Sequence, residues 1–401
     1  MADTLKTMEE VRRVNAALPF TDKSRESGRC HAPSIKAWKE QGKKVIAFQC
    51  TYVPEEVIYA AGMMSVRLVG GETRELELED ANAWLYINTC SFIRSCAQLV
   101  LGKHYDFLDG FVAAATCDPT RRLADIWKHC QFTPFIHVMD VPRKFTERAH
   151  ERYRVEVLGL KRALEEFFKV NISDEDLWDA VGVFNRTREL FAKLYELKKL
   201  DNPPITGAET QEIYNAMYKM PREEFNRLLE RLVDEARSGN RAIEAKLRLL
   251  ISGSPLNNPE FIKTIEDLGA LVVVDEFCTG SRYWWDLVDT STWADPLEAI
   301  CRRYLNNQPC ARMMPSEDRT RRVMEMVDNY RVDGVISEIV RYCVPYAHDQ
   351  PFLRETLENR GIPVLELDVE YGIPGTGQIR TRAQAFLEML EGKMQKRESR
   401  A

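Results

Sequence analysis

Lys44-Val-Ile-Ala-Phe-Gln49 runs into Cys50, and Pro54 then opens a helix that carries Glu55 and Glu56 in its first turn and closes near Gly62. The apolar run reads as a buried strand. Pro at the start and acids in the first turn mark a helix N-terminus. The same alternation continues outward from this stretch. Val66-Arg-Leu-Val69 reads as a strand running into Gly70-Gly71, Cys90 to Leu101 as a helix, Gly110-Phe-Val-Ala-Ala-Ala-Thr-Cys117 as a strand, Arg121 to Lys128 as a helix and Phe135-Ile-His-Val-Met139 as a strand. Strands alternating with helices predict a parallel sheet with right-handed crossovers.

Residues 145–248 break the pattern: they are charged, with apolar residues at helical spacing, and Ser173 with Asp176 resembles a capping box. From about residue 247 alternation returns. Leu249-Leu-Ile251 leads to Ser252-Gly-Ser-Pro255, Leu271-Val-Val-Val274 to Cys278-Thr-Gly280, Gly334-Val-Ile-Ser-Glu-Ile-Val340 to Cys343-Val-Pro345, and Val364-Leu-Glu-Leu367 follows Gly361-Ile-Pro363. A last helix covers about 378–393. The expected fold is α/β: two parallel-sheet domains of flavodoxin/Rossmann-like type, 1–144 and 249–401, facing a cleft, with a helical insertion over 145–248.

The ten cysteines sort by position. Cys50, Cys117, Cys278 and Cys343 follow strands, and Cys90 closes Trp84-Leu-Tyr-Ile-Asn-Thr-Cys90 and opens a helix. Ligands of open parallel sheets bind beyond the carboxyl ends of strands, and a thiol at a helix N-terminus ligates metal readily. Taken singly each is an ordinary buried thiol; five at equivalent edges suit an iron–sulfur cluster. Cys96, Cys130 and Cys301 sit inside helices as small hydrophobes. Cys30 and Cys310 lie in irregular stretches and fit either reading.

Other chemistry is thinner. There is no CxxC, GxxxxGK[ST], GxGxxG after a strand, HxxxH or HExxH, which argues against zinc ribbons, a P-loop, a dinucleotide site and zinc hydrolysis. Glu55 or Glu56 could serve as a general base if a cleft buries it; simple stabilisation of the helix N-terminus is the plainer reading. Gly372-Ile-Pro-Gly375-Thr-Gly377 could offer backbone N–H groups to an anion or act as a turn. Tyr283-Trp284-Trp285 could wall a pocket or pack in the core. The net charge of −6 with interspersed signs argues against nucleic-acid binding. No apolar run approaches the ~20 residues of a membrane span. The polar start Met-Ala-Asp-Thr-Leu-Lys carries no signal-peptide core, so a cytoplasmic location is expected.

Taken in order, Cys50-Thr-Tyr-Val-Pro-Glu-Glu-Val-Ile-Tyr-Ala-Ala-Gly62, Asn88-Thr-Cys-Ser-Phe-Ile-Arg-Ser95, Cys117-Asp-Pro-Thr-Arg-Arg-Leu, Cys343-Val-Pro-Tyr and Gly377-Gln-Ile-Arg-Thr-Arg382 resemble the 2-hydroxyacyl-CoA dehydratase / benzoyl-CoA reductase family. The resemblance spans nearly the whole chain; the 145–248 stretch carries little of it. It implies one [4Fe-4S] cluster held by three cysteines, here Cys90, Cys117 and Cys343, with one iron lacking a protein thiolate. It implies a homologous sister subunit and a separate ATP-hydrolysing iron–sulfur activator that supplies low-potential electrons. It also implies an acyl-CoA substrate whose thioester carbonyl takes up an electron. Dehydratases of the family then eliminate a 2-hydroxyl, whereas reductases add electrons and protons to an aromatic ring. Cys90-Ser-Phe-Ile-Arg-Ser and Val141-Pro-Arg lean toward the reductase side. A subunit that only relays electrons is a further alternative. The adjacent Cys-Cys pair expected of double-cubane relatives is absent. The resemblance makes Glu55 or Glu56 a proton-handling candidate, with Glu55 the nominal choice.

Overall fold

The computed structural model describes residues 5–16, 32–71, 77–307, 309–372 and 376–398. Each half holds a four-stranded, all-parallel sheet. In the first, β1 (Val45–Gln49), β2 (Met64–Arg67), β3 (Gly110–Ala114) and β4 (Phe135–Met139) run in the order β2-β1-β3-β4. In the second, β5 (Leu247–Gly253), β6 (Ala270–Glu276), β7 (Gly334–Val340) and β8 (Val364–Val369) run in the order β6-β5-β7-β8. The two orders are the same, and each changes direction beside its first strand. The doubly wound fold is therefore present twice, and each sheet has a switch point, between β1 and β3 and between β5 and β7.

Alternate residues explain the double burial. Ile46, Phe48, Val112 and Leu250 face one hydrophobic cluster, while Val45, Ala47, Phe111, Leu249 and Ile251 face another. Continuous apolar strands of this kind are those of a sheet covered on both faces.

Four helices, Glu147–Phe168, Asp174–Leu197, Gly207–Met217 and Arg222–Ser238, fill most of the 145–248 stretch, and β5 begins inside it at Leu247. Ser173 and Asp176 form the anticipated reciprocal cap, Asp176 N donating to Ser173 Oγ at 3.1 Å and Ser173 N to Asp176 Oδ2 at 2.8 Å. These helices share one continuous core with both sheets. The first helix, Lys6–Ala16, docks on them through Thr7 Oγ1 to Glu235 Oε2 at 2.7 Å and an Arg12–Glu212 ion pair at 3.1 Å.

Some boundaries differ from the sequence pattern. β2 starts two residues earlier than expected because Met64–Arg67 pairs with Val45–Phe48. β3 stops at Ala114, and the next helix begins at Asp118, with Pro119 in its first turn; proline needs no intrahelical N–H partner there. The last helix runs Thr376–Glu398. Cys30 and the Ile373–Gly375 part of the glycine-rich segment lie outside the described residues. No described helix is long and apolar enough to cross a membrane.

Candidate iron–sulfur site

The carboxyl edges of the two sheets meet around a cavity of about 110 Å³. Its wall contains Cys50 after β1, Cys117 after β3, Cys278 after β6 and Cys343 after β7, together with Cys90 and Cys310. Both switch points therefore open onto the same space. Five of these six residues are marked in the sequence by their edge positions. Cys310 is not, since an irregular stretch carries no periodicity that says where it points. Cys96 and Cys301 are buried inside helices and do not line the cavity.

Cys90, Cys117 and Cys343 share one local design: each is the N-cap of a helix, of Ser91–Leu101, Asp118–Cys130 and Val344–Asn359 respectively. Three helix N-termini thus present their positive ends to one cavity, where they favour an anion. The thiols also feel one another: Cys343 is raised by Cys90 and Cys117, and Cys90 by Cys117. Burial is the larger cause in each case, and it pushes the Cys90 thiol up to about 12. Cys117 Sγ lies 3.2 Å from Thr120 Oγ1. Cys278 and Cys310 both raise Cys50, and Cys310 also raises Cys117, again after burial, so the six thiols act on one another around a single cavity. Cys50 itself is held at φ 79°, a left-handed conformation unfavourable for a non-glycine residue.

Three arginines stand in the wall, and they differ in what neutralises them. Arg282 lies 3.4 Å from Glu276. Arg67 and Arg312, 3% and 8% exposed, have no carboxylate partner among the described residues. Arg67 donates to Cys278 Sγ at 3.0 Å and to the Cys278 carbonyl. Arg312 donates to the carbonyls of Thr116, Pro142 and Val141 at 3.0, 3.1 and 2.8 Å. Burying a cation without an anion costs several kcal/mol. Two such cations on one cavity call for a negatively charged occupant. Gln49 Oε1 and Tyr52 Oη, both in the wall and buried, have no hydrogen-bond partner; groups of this kind are expected to meet a ligand or water.

Glu55 is elsewhere. Its carboxylate accepts from Ser65 Oγ at 2.6 Å and pairs with Arg222 at 2.7 Å, and it does not line the cavity. Glu56 pairs with Arg188 and accepts from Tyr304 Oη at 2.7 Å. Burial opposes its charge, and Arg188 together with Tyr304 nonetheless holds its carboxyl below the usual range. Trp284 and Trp285 stack at 4.7 Å and also stand outside the wall.

The donor set fits an iron–sulfur group. It is all thiol, with no imidazole or carboxylate among the described lining residues, and soft thiolates are what such clusters take. Among the described residues no three acids, histidines or cysteines are arranged to grip a single ion. The six thiols are instead spread around the cavity wall, which suits a group of several irons.

Residues 50–390 match the family described as 2-hydroxyglutaryl-CoA dehydratase, D-component. The chain belongs to this family. Within it, the chain is 30% identical to the protein named "Putative dehydratase subunit YjiM" of Escherichia coli (strain K12), over 88% of this chain and 93% of that one. It is 26% identical to a benzoyl-CoA reductase subunit of Thauera aromatica, over 89% and 94%. It is 25% identical to the beta subunit of (R)-2-hydroxyglutaryl-CoA dehydratase of Acidaminococcus fermentans, over 89% and 95%. The D-component match takes in all six cavity cysteines and both unpaired arginines.

Proposed function

We propose that this chain is the iron–sulfur subunit of an ATP-dependent, radical-type acyl-CoA enzyme. The observation that carries the reading is the cavity itself: thiols at two sheet switch points, faced by two buried guanidinia without carboxylate partners. Cys90, Cys117 and Cys343 would hold a [4Fe-4S] cluster through three thiolates. When bound, such a group supplies single electrons of low potential to the thioester carbonyl of an acyl-CoA. The chain's own part is to hold the sulfurs, balance their charge with Arg67 and Arg312, and keep water out with Phe92, Ile93 and Val340, which also line the wall. Tyr52 Oη and Gln49 Oε1 are free to bond whatever reaches the cavity. A sister subunit accords with the names of the relatives, which are themselves subunits of a reductase and of a dehydratase. The exposed Trp84, Tyr86 and Ile87, on the run leading to Cys90, offer it an apolar contact. The electrons would come from a separate ATP-hydrolysing activator. Reductive dearomatisation of a benzoyl-CoA-like substrate is the first reading of the reaction, and dehydration of an (R)-2-hydroxyacyl-CoA the alternative.

Two observations favour refinements. Cys50, Cys278 and Cys310 double the thiols that one three-ligand cluster uses, which supports a second iron–sulfur unit in the same cavity even without an adjacent Cys-Cys pair. The wall also holds no carboxylate or imidazole among the described residues, which supports a subunit that relays electrons while its sister binds the substrate.

Iron and acid-labile sulfide on protein purified without oxygen test the proposal. About four irons per chain is the single-cubane result, and about eight the six-thiolate result. An iron-free chain after anaerobic reconstitution would refute both. A change in the cluster's EPR signal on adding benzoyl-CoA, or a 2-hydroxyacyl-CoA, assigns the substrate; no change with either supports the relay.

A further inference from the structure

Arg67 and Cys278 come from different halves of the molecule, β2 of the first sheet and the segment after β6 of the second, yet they form a two-point polar joint at the cavity. One terminal nitrogen of Arg67 donates to the Cys278 carbonyl, and the other donates to its sulfur at 3.0 Å. Thr51 Oγ1 donates to the same carbonyl at 3.0 Å and accepts from Arg67 at 3.3 Å. Beneath the guanidinium lies Tyr218, its ring centre 5.7 Å away and its hydroxyl 3.4 Å from Nη1. The planar fork is thus fixed on two atoms of one cysteine. A lysine could not reproduce that grip, because it offers a single point of charge.

This joint does two physical things. It fixes the cysteine's backbone and sulfur at once, so the thiol is presented to the cavity in one position. It also places a buried positive charge and an N–H donor directly on the sulfur. Hydrogen bonds and charge at ligating sulfurs are among the chief determinants of iron–sulfur potentials. A nearby cation stabilises the more negative, reduced state, and burial strengthens the effect.

We infer that Arg67 is a positioning residue for Cys278 that raises the reduction potential of the iron–sulfur unit in this cavity. The inference rests on the six-thiolate form of the proposed site, in which Cys278 ligates iron, and adds a residue and a direction to it. Arg312 crosses between the halves in the opposite sense, but it is engaged by backbone carbonyls and touches no cavity sulfur by hydrogen bond.

The test uses the full chain purified without oxygen, as wild type, Arg67→Gln and Arg67→Lys. Iron and sulfide are counted, and the midpoint potential is read by EPR-monitored reductive titration. Arg67→Gln is expected to make reduction at least tenfold less favourable, about 59 mV more negative for one electron. Arg67→Lys, which keeps the charge and loses the fork, should fall between it and wild type. An Arg67→Gln protein with wild-type iron and a wild-type midpoint overturns the inference and leaves the cluster reading standing. A wild-type chain that takes up no iron removes both. Should Arg67→Gln fail to fold, Arg67→Lys decides alone: a midpoint equal to wild type overturns the inference, and a negative shift supports it.

Discussion

Replacing Glu56 by glutamine keeps the side chain's shape and removes its charge. In the native structure Glu56 and Arg188 are both completely buried, one carboxylate oxygen bonded to Arg188 and the other to Tyr304 Oη at 2.7 Å. Arg303 is also near: burial, then Arg188, lowers it to about 10, while Glu56 works in the other direction. Without the carboxylate, two buried guanidinia face each other with no anion between them. Breaking a buried pair from one side costs about 3–5 kcal/mol, on the order of 1 M in a urea midpoint for a chain of this size. The assay is urea unfolding followed by tryptophan fluorescence. Adding Arg188→Met should recover much of the loss, since the uncompensated charge then goes too. A Glu56→Gln protein within about 1 kcal/mol of wild type would refute the reasoning. Glu55→Gln belongs in the same experiment. Glu55 serves Arg222 and Ser65 away from the cavity, so it should lose stability while iron per chain and turnover per iron stay unchanged. Slower turnover at unchanged stability would instead restore Glu55 as a proton carrier.

Cys117→Ser or Cys343→Ser should lower bound iron and abolish activity, whereas Cys96→Ala should leave the iron count unchanged, because Cys96 faces core. Cys278→Ser separates the three-thiolate from the six-thiolate site: unchanged iron supports the first, and loss of about half supports the second. Gly253→Ala should destabilise the second sheet sharply, because the added Cβ would lie 1.7 Å from the Glu338 carbonyl oxygen on the neighbouring strand; a wild-type melting temperature would contradict this. Lys198 is 1% exposed, and burial lowers it to about 8 from 10.5. The unfolded chain therefore binds the extra proton between those values, and stability should rise with pH from about 8 to 10.5, by on the order of 3 kcal/mol at most. Comparing unfolding of wild type and Lys198→Met across that range isolates the contribution, which should be missing from the variant.

Six of the eight strands are buried on both faces, which made them legible; the edge strands β4 and β8 are partly exposed and were marked by their apolar residues and flanking turns. A sheet covered by helices demands unbroken apolar runs, and Val45–Phe48, Gly110–Ala114 and Leu271–Val274 supply them. The edge cysteines were legible for a related reason, since they stand where such runs stop. Cys310 was not, because it reaches the cavity along an irregular path that leaves no pattern in the chain. The role of Glu55 shows the opposite difficulty. An acid in the first turn of a helix beside a strand end looks the same locally whether it serves a substrate or a distant arginine. Arg222 lies 167 residues further on, in the helical stretch, and only the packed structure brings the two together.

The arginines lie furthest from what the sequence could say. Arg67 sits in β2 and Arg312 in a loop, and nothing in either neighbourhood marks it as unusual. Their meaning comes from a charge balance that exists only after folding. Arg282 and Arg319 share Glu276, and Arg319 also pairs with Asp349, so that network closes on itself. Arg67 and Arg312 close on nothing but carbonyls, hydroxyls and sulfur. The thiols around them are pushed toward their neutral forms by burial, so the described residues do not cancel the positive charge of these two arginines. An anionic group bound by thiolates removes both costs in one step: it gives the guanidinia their counter-charge, and the metal takes the place of the thiol protons. The counter-charge that the two guanidinia call for and the ligand chemistry that the cysteines are suited to thus point to the same kind of group.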